Sequence, residues 1–134
     1  MPPNRFRRRA RVLGIKLARS FYFASAGLAY LFRTQRNARI HAFAGLCACA
    51  VGAWLRLDAV RWALLVFTIA LVLILEGLNT AIEAAIDLAM PKVHPLAKAA
   101  KDLAAGMVLI AAIASVLVGL LILGPPLWRR LFGS

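Results

Sequence analysis

The chain has 134 residues, 63% of them apolar, and a mean hydropathy of +0.80. A water-soluble domain of this length has too small an interior to hide that much apolar surface, so an integral membrane protein is expected. The formal net charge of +12 would suit nucleic acid, but ten of the seventeen Lys and Arg lie before Ile40, ahead of the first long apolar run, and no soluble binding module is left over.

Residues 1–11 form a basic tail, expected to be irregular and to meet anionic headgroups, where each cation contributes about 1 kcal/mol. No short apolar stretch with a small-residue cleavage site follows, so a cleaved signal peptide is not expected. Residues 12–33 read as an amphipathic helix. Leu13, Leu17, Phe21, Ala24, Leu28 and Leu31 make one apolar stripe, with Lys16 and Arg19 on the other side. Tyr22 and Tyr30 suit an interfacial depth. Such a helix lies in the membrane surface or packs on the rest of the bundle, and the pattern leaves both open.

A first span is expected over 40–55, short for a full crossing, which takes about 17 residues or more. Trp54 marks one interface of it, and Arg39 and His41 the other. Cys47 and Cys49 point in different directions on a helix and cannot pair; they read as small packing residues. No Cys or His cluster has metal spacing. A turn with Arg56, Asp58 and Arg61 follows.

The second span, 62–90, is apolar apart from Thr68 until Glu76 appears. Proline cannot continue a helical ladder, so Pro91 should end it. Its length of about 43 Å exceeds the roughly 30 Å hydrocarbon core, so its last third should emerge into headgroups and water. Residues 91–101 are polar and basic, with Lys92, His94, Lys98 and Lys101, and Pro95 can open a new helix. The third span, 103–123, has Ser115 as its only polar side chain. Pro125, Pro126 and Trp128 are expected to close it, before Arg129 and Arg130.

Basic residues set the orientation. Ten lie in 1–39 and three in 91–102, against two in the 56–61 turn and two at the C-terminal end. The positive-inside rule therefore puts the N-terminus in the cytoplasm and the C-terminus on the opposite side. The expected architecture is an all-α membrane protein forming one domain over 1–134, without internal repeats or a second domain.

Four of the five acidic residues are Glu76, Glu83, Asp87 and Asp102. At 100° per residue, Glu76, Asn79, Thr80, Glu83 and Asp87 share one face of the second span. Acidic residues beyond the hydrocarbon edge are often ordinary solvated groups, and Asp87 could pair with Arg33, Arg36 or Lys98. Carboxylates at membrane depth cost about 2.5–3.5 kcal/mol each, so Glu76, Asn79 and Glu83 together favour an interior functional site. Glu76 and Glu83 stand two turns apart, about 10.5 Å along the axis. That is too far to share a proton, but it suits one group at a hydroxyl near the bilayer surface and another at a metal-bound phosphate further out. Lys98, Lys101 and the helix N-terminus near Pro95 would supply the phosphate side. No Walker loop or Gly-rich kinase loop occurs.

Two stretches resemble a known family. Glu76-Gly-Leu-Asn-Thr-Ala-Ile-Glu-Ala-Ala-Ile-Asp87 is similar to the central motif of the prokaryotic diacylglycerol kinases. His94-Pro-Leu-Ala-Lys-Ala-Ala-Lys-Asp102, followed by Leu-Ala-Ala-Gly106, resembles their second motif, in wording closest to the undecaprenol kinase branch. Arg36-Asn-Ala-Arg-Ile-His41 resembles that branch too, and the similarity covers about residues 16–123.

The resemblance implies a homotrimer of three-span subunits, each with an amphipathic surface helix, in the bacterial inner membrane. Active sites would lie between subunits at the cytoplasmic interface, moving the ATP γ-phosphate to a lipid hydroxyl with Mg²⁺. Glu76 would then be the general base, beside the lipid substrate, with Asn79 supporting it. Glu83 would hold the metal on the ATP phosphates. Lys101 and Asp102 would contact the nucleotide, with His94 nearby and Lys16 a further basic contact. The family's usual second metal glutamate is here Gln35, whose neutral amide oxygen would bind Mg²⁺ more weakly.

Two rivals stand beside this reading. One is a weakly active or non-catalytic assembly protein on the same fold, which Gln35 motivates. The other is an ion or proton pathway, which has no charged residue in the first and third spans beyond the interfacial His41 to continue a relay.

Overall fold

A computed structural model describes residues 4–90, 92 and 94–133, with side chains described from 13 onward. It is all-helical: α1 (Asn4–Thr34), α2 (Arg36–Trp54), α3 (Ala59–Ala89) and α4 (Pro95–Phe132). The chain divides into two units, one holding α1 and the other α2 to α4.

Helix α1 begins at Asn4, so residues 4–11 are helical rather than the irregular tail expected. Arginine, five of those eight residues, is a good helix former, and no Pro or Gly interrupts the stretch. The hydroxyls of Ser20, Ser25 and Thr34 donate to carbonyls four residues back, satisfying themselves within the helix.

In the second unit each break has a local cause. Gln35 is the extended N-cap of α2, and its side chain makes no capping bond. At the other end of α2, Arg56 adopts φ 53°. The Arg56 N–H donates to the Ala53 carbonyl and the Leu57 N–H to the Gly52 carbonyl, both at 3.1 Å. This paired closure after a left-handed residue ends a helix without orphaned carbonyls. It folds Leu57 back into the core, where it meets Leu65 of α3 and Ile122 of α4. Asp58 then caps α3, its carboxylate accepting from the Arg61 N–H at 3.0 Å. That bond is the main cause holding the Asp58 carboxyl below the usual aspartate range.

The described part of α3 ends at Ala89, where the Met90 N–H closes on the Ile86 carbonyl at 2.8 Å. Pro91, expected to stop this helix, lies outside the described residues. Helix α4 opens eight residues before the expected span, with Pro95 at its first position and His94 as N-cap. It does not end at Pro125 and Pro126, as expected, but runs through both to Phe132. Each proline forfeits one N–H bond. Toward a helix end that loss breaks few bonds, and the chain does not turn away. Arg130 lies over the Trp54 ring of α2, 5.0 Å from its centroid.

Helix α3 packs against both α2 and α4, while α2 and α4 touch only briefly. The approach to α2 is close: a Cβ on Gly45 would stand 2.8 Å from Ile69 Cγ2. The core is thin, and large apolar side chains face outward, among them Phe67 at 68% and Leu121 at 75% exposure. Contiguous apolar surface of this kind needs lipid or a partner to cover it. Helices α3 and α4 are each long and apolar enough to cross a bilayer. Helix α2 is not among them, because Arg36, Asn37, Arg39 and His41 occupy its first turns.

Candidate active site

The acidic face of α3 grades from buried to exposed along the helix. Glu76 is 3% and Thr80 7% exposed, Asn79 and Glu83 are half-buried, and Asp87 is exposed. A cleft of about 300 Å³ opens beside the buried end, lined by Asn37 and His41 of α2, Glu76 and Asn79 of α3, and Ala105 and Val108 of α4. The polar side chains thus come from α2 and α3, and α4 contributes an apolar wall.

Glu76 is held by little. The Thr80 hydroxyl donates to its backbone carbonyl at 2.9 Å, which spends the hydroxyl within the helix. Among the described residues its carboxylate Oε1 has no hydrogen-bond partner, and neither has the amide Oδ1 of Asn79. The nearest basic atom to that carboxylate is His41 Nε2, 3.5 Å from Oε1. A buried carboxylate with an unused oxygen facing a cleft can accept a proton from a bound hydroxyl.

One turn further on, the Asn79 amide donates to Glu83 Oε1 at 3.1 Å. Among the described residues no three of His, Cys, Asp and Glu gather closely enough to enclose a metal. Glu83 alone is a single hard oxygen donor. That fits Mg²⁺, which commonly takes one or two carboxylates and fills its shell with phosphate oxygens and water.

A second cleft, about 270 Å³, lies where α3 ends and α4 begins, lined by Asp87, Lys92, His94, Lys98 and Lys101. Three lysines against one aspartate give its lining a net positive charge, a field that favours anions. The pairing differs from expectation: Asp87 binds Lys101, while Lys98 binds Asp102 one turn along α4. His94 turns Nδ1 inward to accept from the Leu96 N–H at 3.2 Å, which caps α4 and leaves Nε2 available. Gln35 begins α2 in the same unit. Lys16 is exposed on α1, in the other unit.

Residues 22–123 match the sequence pattern of the prokaryotic diacylglycerol kinases. The chain belongs to that family. The chain is 52% identical over 109 residues to a diacylglycerol kinase of Synechocystis sp., covering 81% of this chain and 62% of that protein. It is 43% identical to an undecaprenol kinase of Bacillus subtilis, over 81% of this chain and 89% of that one. A diacylglycerol kinase of Escherichia coli K12 is 36% identical over 72% of this chain and 80% of its own length. The match thus spans less than two thirds of the Synechocystis kinase. These kinase names lend nothing to the non-catalytic alternative.

His41 and Asn37 were not singled out as site residues from sequence. The signal was a run of polar residues, Arg36 to His41, at the start of an otherwise apolar helix.

Proposed function

We propose that this chain transfers the γ-phosphate of ATP to the hydroxyl of a membrane lipid at the cytoplasmic face of the bacterial inner membrane. The observation that carries the proposal is Glu76: a carboxylate buried at the wall of a cleft, on a helix long and apolar enough to cross a bilayer. Such a group is expensive to keep unless it does chemistry.

The lipid stays in the membrane with its hydroxyl against Glu76, while ATP docks from the water. Glu76 takes the hydroxyl proton as the lipid oxygen attacks the γ-phosphorus. The new O–P bond forms, the bond to the β-phosphate oxygen breaks, and ADP leaves. Glu83 would hold Mg²⁺, with Gln35 as a weaker neutral ligand, and the ion would supply neutralisation of phosphate charge. Lys101, Asp102 and His94 receive the nucleotide, with Lys16 as a further contact. Lys101 and Asp102 must first exchange their present partners, and exposed ion pairs hold weakly enough for phosphates to compete. Positioning and charge neutralisation then carry most of the catalysis.

The working form is a homotrimer of three-span subunits, with α2 crossing beside α3 and α4, and with α1 in the membrane surface. The exposed apolar side chains of α2 to α4 supply surface for subunits and lipid. The basic residues before Ile40 and in 91–102 support an orientation with the N-terminus in the cytoplasm and the C-terminus outside it.

Diacylglycerol and undecaprenol both present a primary hydroxyl on long hydrocarbon. Radiolabelled phosphate transfer from ATP, with the two lipids side by side, tests the proposal. Label appearing in one or both lipids is the expected result, and the larger kcat/KM names the substrate. No transfer to either would sink the proposal.

A further inference from the structure

Glu76 needs orientation as well as burial. A carboxylate free to rotate within a cleft presents a given oxygen to a substrate hydroxyl only part of the time, and misplacement by about 1 Å can cost 10²-fold in rate. Its own helix does not restrain it: Asn79 donates to Glu83, and Thr80 donates to the Glu76 backbone. The group that faces the carboxylate comes from α2. His41 lies in the second turn of that helix, half-buried, and its Nε2 stands 3.5 Å from Glu76 Oε1. Both residues line the same cleft. The separation is slightly beyond a good hydrogen bond, as catalytic contacts often are before substrate binds.

We infer that His41 is a positioning residue for the general base. With its proton on Nε2, the ring donates to Glu76 Oε1 and leaves Oε2 to take the lipid hydroxyl proton. The contact spans two helices, so the base is oriented only when α2 is packed on α3. Gly45 permits that packing, because its missing side chain lets Ile69 approach. This inference rests on the proposed role of Glu76.

Three replacements of His41 test it in phosphate-transfer assays on the purified oligomer. Glutamine places an amide N–H near the position of Nε2, asparagine places one near Nδ1, and leucine places none. The inference expects His41→Leu and His41→Asn to lose at least tenfold in kcat with little change in KM for ATP. His41→Gln should recover to within about threefold of the unmodified chain. In a Glu76→Gln background, His41→Leu should cost nothing further, since paired residues couple. Wild-type kcat in His41→Leu, or equal losses with Gln, Asn and Leu, would overturn it. An inactive Glu76→Gln beside a fully active His41→Leu would sink this inference alone, whereas an active Glu76→Gln would sink the base assignment beneath it. If leucine prevents assembly, the contrast between Gln and Asn still decides.

Discussion

The Asn79 amide donates to Glu83 Oε1 at 3.1 Å, one helical turn away. The bond restrains the outer carboxylate at one oxygen, and under the proposed mechanism it ties Asn79 to the metal side of the site. Asn79→Leu should raise the Mg²⁺ concentration for half-maximal rate by roughly tenfold, because a hydrogen bond to a charged group is lost. Titrating initial rates with Mg²⁺ checks it. A fall in kcat at saturating Mg²⁺, with no change in midpoint, would return Asn79 to the base.

Lys101 sits on Asp87 across the α3–α4 cleft, 2.5 Å away. If phosphate must displace that aspartate, the two partners have opposite effects. Lys101→Met should raise KM for ATP about tenfold or more, whereas Asp87→Asn should lower it, as a released lysine meets phosphate without competition. Steady-state kinetics in ATP separate the two.

Gly45 lets α2 lie close to α3, with Ile69 at 2.8 Å from where a Cβ would be. Gly45→Val should therefore destabilise the bundle by about 1–3 kcal/mol through overpacking. Ile69→Ala in the same chain should return part of that loss. Thermal unfolding in detergent of the two single variants and the double variant measures the coupling.

Asp58 caps α3 through the Arg61 N–H, and its carboxyl is held below the ordinary value of 3.8. A carboxyl depressed in the folded state adds stability above its unfolded value and loses it as pH falls through the folded one. Asp58→Ala should then lower the unfolding temperature at neutral pH. The gap to the unmodified chain should narrow only below pH 3.8. A gap that persists at the lowest pH would assign the effect to something other than this cap.

The helical elements were legible because apolar runs of this length admit little else, and because Asp58 and Pro95 are strong local signals. Their ends were not. Pro125 and Pro126 read as a stop, yet α4 runs through both to Phe132. Glu76, Asn79 and Glu83 announced a site by their shared face, since carboxylates at such depth are rare. Their partners could not be read the same way. That Asn79 turns to Glu83, that Asp87 takes Lys101, and that His41 faces Glu76 are matters of rotamer and interhelical register, which a repeat along one helix does not specify. The family motifs carried the word kinase, and the match over residues 22–123 supports them.

The central claim is that Glu76 is the base of a lipid kinase. It is tested most directly by the phosphate-transfer rate of Glu76→Gln, measured on purified protein that matches the unmodified chain in size and thermal stability. The account predicts a loss of at least 10²-fold in kcat with KM for ATP little changed, the scale that a positioned acid–base group contributes. Turnover within a few-fold of the unmodified chain would contradict it.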